Sequence, residues 1–134
     1  FRTIAGTPDR HLVGIGLQMT LPGVPMIFAG DELGLEGAWG EDARRTMPWG
    51  RIHEDAFLTR VRALVHLRRT LAPLARGGIR WAHVDADTIA YLRETAEERL
   101  LCVASREPID ELPVQFPSLE ALYDSPQFQI WRIY

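Results

Sequence analysis

The sequence predicts an α+β fragment, in which a helix–strand–helix unit of an α/β barrel is followed by a small antiparallel β-sandwich. Three observations lead to this prediction. Apolar residues recur at helical spacing over residues 8–20 and 54–71. The run 24–29 between them is continuously apolar, which is typical of a parallel strand covered on both faces. After residue 78, short apolar runs alternate with turn residues, which predicts antiparallel strands.

The first helix is predicted over residues 8–20. In Thr7-Pro8-Asp9, the threonine can cap the helix, the proline suits its first position, and the aspartate favours the positive end of the helix dipole. Leu21-Pro22-Gly23 ends the helix. Gly14 and Gly16 each lower helix propensity by roughly 1 kcal/mol relative to alanine. We expect close packing against a neighbouring element to compensate for that loss.

The predicted strand 24–29 ends at Gly30-Asp31-Glu32, and a long loop follows to residue 52. A buried strand that ends in charged residues is typical of the mouth of an α/β barrel. A single parallel strand needs neighbouring strands to satisfy its backbone N–H and C=O groups. We therefore expect a missing N-terminal barrel portion. We also expect the isolated chain to self-associate, or to pair this strand with the β tail or another chain.

The second helix is predicted from about Glu54 to Leu71, closed by Ala72-Pro73 and Gly77-Gly78. The domain boundary is predicted near residues 76–78, dividing the chain into residues 1–76 and 77–134. Trp81 and Trp131 lie on predicted strands, where we expect them to face the core. The predicted strands are Ile79–Val84, Thr88–Arg93, Leu100–Ser105, Leu112–Phe116 and Phe128–Tyr134.

The composition argues against several functional classes. The formal net charge is −3, and the basic residues, all arginine, are spread along the chain, so no nucleic-acid footprint is expected. No apolar run approaches the roughly 18–20 residues that span a membrane. No secretory leader is visible, so we expect a cytoplasmic protein, with secretion left open because an upstream portion is expected.

No cofactor or metal is expected either. The run 53–57 has a histidine but lacks the second histidine of a zinc helix, and Gly14-Ile15-Gly16 lacks the third glycine of a dinucleotide fingerprint. Cys102 is the single cysteine, so an internal disulfide is impossible, and its apolar neighbours predict a buried inert thiol.

The loop after the strand combines acids, arginines and tryptophans, a mixture that suits a polyhydroxylated ligand with polar rims and apolar faces. A retaining acid/base pair is not expected in it, because Asp31 and Glu32 are adjacent and would point to opposite faces of a strand. The candidate substrate-binding residues are Asp31, Glu32, Trp39, Asp42 and Arg44.

The segment from Gly23 to Trp49 resembles the end of the catalytic barrel in the α-amylase family of glycoside hydrolases. In that family a Gly-(Val/Thr)-Pro-x-(Ile/Leu)-aromatic-x-Gly-(Asp/Glu)-Glu segment forms the eighth barrel strand, and an arginine shortly before Met-x-Trp follows it. The matching residues here are Gly30-Asp31-Glu32 and the run 44–49. The resemblance implies that residues 1–76 are the C-terminal part of a (β/α)8 barrel and that residues 77–134 are the family's C-terminal β domain.

The resemblance further implies retaining hydrolysis of α-glucosidic bonds in oligosaccharides, as in bacterial α-glucosidases and neopullulanases. The family's nucleophilic Asp, acid/base Glu and transition-state-stabilising Asp lie on earlier barrel strands, outside this chain. We therefore expect no catalytic residue here and no activity of the fragment alone. The rival hypothesis is a stand-alone module that binds glucan without cleaving it, or an interaction module.

The resemblance assigns Arg44 to holding the sugar at the non-reducing end, and Arg45 takes this role if the register slips by one. A loop salt bridge, for example with Asp42, is the alternative for Arg44. Trp39 and Trp49 either stack on a sugar face or pack the loop, and packing onto the last helix is the expectation for Trp49. Asp31 and Glu32 are expected to orient loops and arginines.

Overall fold

The computed structural model describes residues 1–42, 44–53 and 55–134. Within these ranges, helices and strands occupy separate halves of the chain. The helices are α1 (Arg2–Ala5), α2 (Pro8–Thr20), α3 (Ala56–Thr70) and α4 (Ala72–Arg76), with 3-10 turns at Asp31–Leu33 and Trp49–Arg51. The strands are β1 (Gly78–Val84), β2 (Thr88–Glu94), β3 (Arg99–Ser105), β4 (Leu119–Ser125) and β5 (Phe128–Ile133).

Helix α2 has the predicted bounds and cap. The hydroxyl of Thr7 accepts a hydrogen bond from the Arg10 backbone N–H at 3.2 Å, and Pro8 opens the helix. Gly16 is a weak helix former, and its close contact with the sheet explains why it occupies this position. A Cβ at Gly16 would lie 2.5 Å from the ring of Phe128 on β5, so only glycine lets the helix approach the sheet this closely.

Helix α3 begins at Ala56, and the Asp55 carboxylate caps it by accepting from the Leu58 N–H at 2.9 Å. The predicted start at Glu54 lies outside the described residues. Helix α3 ends at Thr70, so Ala72-Pro73 closes it as predicted, and the same two residues begin a short further helix, α4. The proline occupies the first turn of α4, where its missing N–H costs nothing.

The β half is one antiparallel sheet with strand order β1-β2-β3-β5-β4, so the predicted sandwich is wrong. The predicted strand Leu112–Phe116 is also wrong, because this stretch lies in the connection before β4 and packs three apolar side chains on the outer face of the sheet. Pro113 and Pro117 keep that stretch from donating to a ladder. The prediction missed β4, whose exposed acids obscure its pattern.

The edge strands β1 and β4 each contain one extra residue relative to their neighbours. The register shifts between Trp81 and His83 in β1 and between Ala121 and Tyr123 in β4. Trp81 is 56% exposed and meets the ring of Tyr91 edge-on, so its predicted core position is wrong. An edge strand has no neighbour on its outer side to bury such a large ring. Trp131 is half-buried and packs on the outer face of the sheet.

The main core lies between the helices and the inner face of the sheet. Side chains from α2, α3, α4, β2, β3, β4 and β5 share it: Leu12, Ile15, Met19, Val61, Leu64, Leu74, Tyr91, Leu100, Cys102, Ala104, Tyr123, Phe128 and Ile130. Because the helical half and the sheet pack on each other through this cluster, the sheet supports the elements that lead to the loop 30–52. The boundary near residues 76–78 stays a prediction.

Residues 24–29 are not a strand in this structure, and the prediction that they are buried is wrong. The side chains of Val24, Met26 and Phe28 are 96%, 76% and 53% exposed. The five-stranded sheet does not include this segment, so it does not pair with the β tail. The segment keeps the composition of a buried strand, but the described residues supply no neighbouring strand to cover it.

Candidate functional site

The acidic turn at residues 30–34 ends the apolar segment. Gly30 and Gly34 bracket it with φ angles of 101° and 63°, which side chains with a Cβ rarely adopt. A carboxylate oxygen of Glu32 accepts from the Gly30 N–H at 2.8 Å, so this side chain folds back on its own turn. The two acids therefore lie on a 3-10 turn directly after the predicted strand 24–29.

Asp31 points toward the start of the chain. Its Oδ1 atom lies 3.8 Å from the amino nitrogen of Phe1 and 4.0 Å from Nε2 of His11. Its side chain is 23% exposed, whereas that of His11 is fully buried. The turn thus separates its two carboxylates: Asp31 faces the α2 side, and Glu32 borders a groove on the α3 side.

Asp42 organises the next part of the loop. Oδ2 accepts from the Ala38 N–H at 2.8 Å, and Oδ1 accepts from Nη2 of Arg45 at 3.1 Å. Nε of Arg45 also donates to the Asp42 carbonyl oxygen at 3.2 Å. The Ala38 N–H, followed by Arg45, holds the pKa of Asp42 below its usual range, so the group is an anion at neutral pH. The loop salt bridge with Asp42, which was the alternative role for Arg44, is thus made by Arg45.

Arg44 and Trp39 are the least engaged candidates. Arg44 is exposed, and within the described residues its side chain makes no hydrogen bond or ion pair, although its backbone N–H donates to the Glu41 carbonyl at 3.0 Å. Trp39 is 80% exposed and borders, with Asp42, an open depression of about 460 Å³. Trp49 is 73% exposed, so it does not pack onto the last helix as expected. The loop leaves both indoles available to solvent.

A larger groove of about 530 Å³ runs between the apolar segment and helix α3. Its apolar side is formed by Ile27 with Leu58, Val61 and Val65. Glu32 and three basic side chains of α3 form its polar side: Arg62, His66 and Arg69. Together with the exposed side chains of residues 24–28, the groove leaves a continuous apolar surface uncovered at the end that carries the acidic turn.

The sequence reasoning missed a pair of arginines that fix where the segment 24–29 begins. Arg93 on β2 is 1% exposed and donates to the carbonyl oxygens of Thr20, Gly77 and Gly78. Burial and, secondarily, the nearby Arg68 lower its pKa. Side chains alternate between the two faces of a strand, so Arg93, two residues after Tyr91, shares its inward face. This alternation could have revealed the buried arginine from the sequence.

Arg68 on α3 completes this arrangement. Its guanidinium donates to the carbonyl oxygens of Met19, Leu21 and Gly23, at 3.3, 3.0 and 2.5 Å. The carbonyl groups at the end of α2 have no partner within the helix, so these donors satisfy them. Both arginines therefore tie the end of α2, and through it the segment 24–29, to α3 and the sheet.

Metal and membrane sites are not apparent in the part of the chain that the structure describes. Over those residues, no three side chains of the His, Cys, Asp or Glu type come together as a metal site. None of the described helices combines the length and the hydropathy needed to cross a bilayer.

Neopullulanase 2 from Thermoactinomyces vulgaris is 34% identical to this chain over 98 residues, which are 71% of the chain and 17% of that enzyme. A solved structure of cyclic α-maltosyl-(1→6)-maltose hydrolase from Arthrobacter globiformis is 31% identical, with a TM-score of 0.70 over 78% of this chain. The chain is a relative of α-amylase-family glycoside hydrolases. The match falls on the C-terminal region of those enzymes, as the resemblance at Gly23–Trp49 implies.

The fold agrees with this family. An α-amylase structure from Anoxybacillus superimposes with a TM-score of 0.76 over 93% of this chain at 19% identity, a likeness that concerns the fold alone. The chain spans 17% of the length of neopullulanase 2 and 24% of the Arthrobacter hydrolase. Comparison with models of protein families gives no match.

Proposed function

We propose that this chain is the C-terminal portion of a glycosidase that hydrolyses α-glucosidic bonds in oligosaccharides with retention of configuration. One observation carries the proposal: the apolar segment 24–29 runs into an acidic turn and leaves Val24, Met26 and Phe28 exposed. Such a segment is unstable in water unless other strands cover it. We assign it as the last strand of a (β/α)8 barrel, with α2 and α3 as the barrel's last two helices.

The substrate class follows from the loop and from the relatives. The name of the Arthrobacter relative states that it hydrolyses cyclic α-maltosyl-(1→6)-maltose, and the first relative is a neopullulanase. In this chain, the side chain of Arg44 is exposed beside Asp42, whose carboxylate is already oriented by Ala38 and Arg45. A guanidinium and a carboxylate suit neighbouring sugar hydroxyls, and the exposed indole of Trp39 offers a face for a pyranose ring.

The same geometry argues that the chain does not catalyse hydrolysis alone. Retaining hydrolysis needs two carboxyl groups about 5–5.5 Å apart on opposite sides of the scissile bond. Glu32 is folded back on Gly30, and Asp31 points toward Phe1 and His11. These two acids do not face a common space, and the proposal assigns the reactive carboxylates to barrel strands outside residues 1–134. Asp31 and Glu32 are assigned to substrate binding and loop orientation.

The test compares two polypeptides: this chain, and the same chain extended by the sequence encoded upstream of it. Both are incubated with maltotriose and a cyclic maltodextrin, and released reducing sugar is measured. We expect no release by this chain and release by the extended one, lowered at least tenfold by Arg44→Ala. Arg10→Ala is the control, because Arg10 is an exposed arginine on α2, outside the loop. Hydrolysis by this chain alone, or an inactive extended protein, contradicts the proposal.

Tryptophan fluorescence distinguishes the stand-alone binding module. Maltooligosaccharides are titrated into the chain, and the same titration is repeated with Trp39→Phe. Micromolar binding by the isolated chain favours the binding module, because a complete sugar site would then exist without the barrel. The proposed function instead predicts no change in emission up to tens of millimolar sugar, since the chain holds one side of the site only.

A further inference from the structure

His11 is buried without a hydrogen-bond partner for either ring nitrogen. It lies on the first turns of α2 and is 0% exposed. Its ring meets the Phe1 ring edge-on at 5.1 Å and the Phe57 ring at 5.0 Å between centroids. Within the described residues, Nδ1 and Nε2 are both unsatisfied. Burying an unpaired polar group is costly, so an imidazole in this place needs a function or a partner.

Asp31 is the group positioned to be that partner. Its Oδ1 atom is 4.0 Å from Nε2 of His11, about 1 Å beyond hydrogen-bond length. The other charged groups near the imidazole are the amino group of Phe1 and the guanidinium of Arg2. Both are cationic and disfavour a charged imidazole, whereas Asp31 favours one. Burial, the largest cause, acts with the two cations against Asp31 and lowers the pKa of His11, so the ring is neutral at pH 7 and carries one proton.

We propose that His11 is a positioning residue for Asp31, and that its neutral imidazole carries the proton on Nε2 and donates it to the Asp31 carboxylate. A small rotation of the Asp31 side chain closes the gap. This bond satisfies Nε2 of the buried ring and fixes Asp31 within the acidic turn. It also ties that turn to α2, whereas the Glu32 carboxylate bonds to the Gly30 N–H of the turn itself. The assignment extends the proposed function, in which Asp31 is a substrate-binding residue.

The first test reads the tautomer of His11 in the unmodified chain. Long-range ¹H–¹⁵N correlation spectra distinguish a protonated from an unprotonated ring nitrogen. We expect Nε2 protonated and Nδ1 bare at pH 7, and we expect Asp31→Ala to alter the Nε2 signal. Glu36→Ala, an exposed acid in the same loop, is the control and leaves the signal in place. The proposal is overturned if the proton is on Nδ1, or if the Nε2 signal does not change in Asp31→Ala.

The second test measures hydrogen exchange of the turn. The amides of Gly34 and Leu35 donate to the carbonyl oxygens of Asp31 and Gly30, so their exchange reports how firmly the turn is held. His11→Phe keeps the aromatic packing and removes the donor. We expect exchange of both amides to rise roughly three- to tenfold, the value of one hydrogen bond.

His66→Phe, an exposed histidine on α3, is the control for the exchange measurement. Unchanged exchange in His11→Phe, or an equal rise in His66→Phe, overturns the proposal. If His11→Phe unfolds the chain, the tautomer measurement still decides. Neither measurement uses sugar, so failure here leaves the proposed glycosidase function standing, and an inactive extended protein leaves the His11–Asp31 pair standing.

Discussion

The guanidinium of Arg93, near the end of β2 on the sheet's inner face, donates a hydrogen bond to the carbonyl oxygen of Thr20, the last residue of helix α2. A buried arginine usually pairs with a carboxylate, but here its partners are three backbone carbonyls. A side chain in the β half thus completes the capping of a helix in the other half. The arrangement adds a polar tie between the end of α2 and the sheet to the apolar packing of the core.

Replacing Arg93 with methionine should destabilise the chain by about 2–4 kcal/mol, because three carbonyl oxygens lose a charged donor while little volume changes. The measurement is the free energy of unfolding in urea. Arg99→Met, at the exposed start of β3, is the matched control and should change stability by less than about 0.5 kcal/mol. If both substitutions change the free energy of unfolding equally, the buried hydrogen bonds of Arg93 do not contribute to stability as predicted.

Gly16→Ala should destabilise the chain although alanine is the better helix former. The added methyl group would lie 2.5–2.7 Å from atoms of the Phe128 ring, so the helix or the ring must move. Overpacking of this kind costs about 1–3 kcal/mol, more than the gain of about 1 kcal/mol in propensity. Gly40→Ala is the control, since nothing lies within 4 Å of that position. A higher melting temperature for Gly16→Ala would refute the close approach.

Asp85 should stay charged to about pH 2. The His83 side chain, followed by the backbone N–H groups of Thr88 and Asp87, lowers the pKa of Asp85 to about 2. Because the folded value lies below the unfolded value near 3.9, its stabilisation of the β1–β2 turn is complete above pH 4 and is lost as the pH falls toward 2. Carboxyl ¹³C titration checks this. In His83→Ala the pKa of Asp85 should rise; an unchanged value would contradict the assigned cause.

The isolated chain should self-associate through the apolar segment. Met26 and its exposed neighbours form the kind of uncovered surface that drives contacts between copies. Sedimentation measurements at increasing concentration should show association, and Met26→Glu should reduce it. Ile4→Glu is the control, since Ile4 is 84% exposed on α1, outside the segment. A monomer at all concentrations, or equal effects of both substitutions, would contradict this prediction.

Local signals in the sequence predicted much of this fold. The cap at Thr7 and the periodicity of residues 8–20 gave the bounds of α2, because both are properties of consecutive residues. Four of the predicted strands match β1, β2, β3 and β5 to within one residue at each end. The prediction of a strand at residues 112–116 was wrong, because half-buried apolar residues give the same sequence pattern whether they pair within a sheet or only pack on its face.

The remaining errors depend on what lies far away in the chain. Residues 24–29 have the composition of a buried strand, but burial depends on neighbours, and composition does not supply them. Asp42 pairs with Arg45 rather than Arg44 because of the conformation of the loop, and loop residues have no periodic pattern from which that conformation could be predicted. The surroundings of His11 could not be predicted either, because only packing shows that Phe1 and Phe57 enclose it and that Asp31 lies beside it.

The extra residues in the two outermost strands have a consequence for how this chain meets others. At Trp81–His83 and Ala121–Tyr123 the backbone bends away from regular pairing, so neither flank offers an even row of donors and acceptors to an incoming strand. Strand addition at either edge is thereby disfavoured, in contrast to the uncovered apolar segment of the helical half.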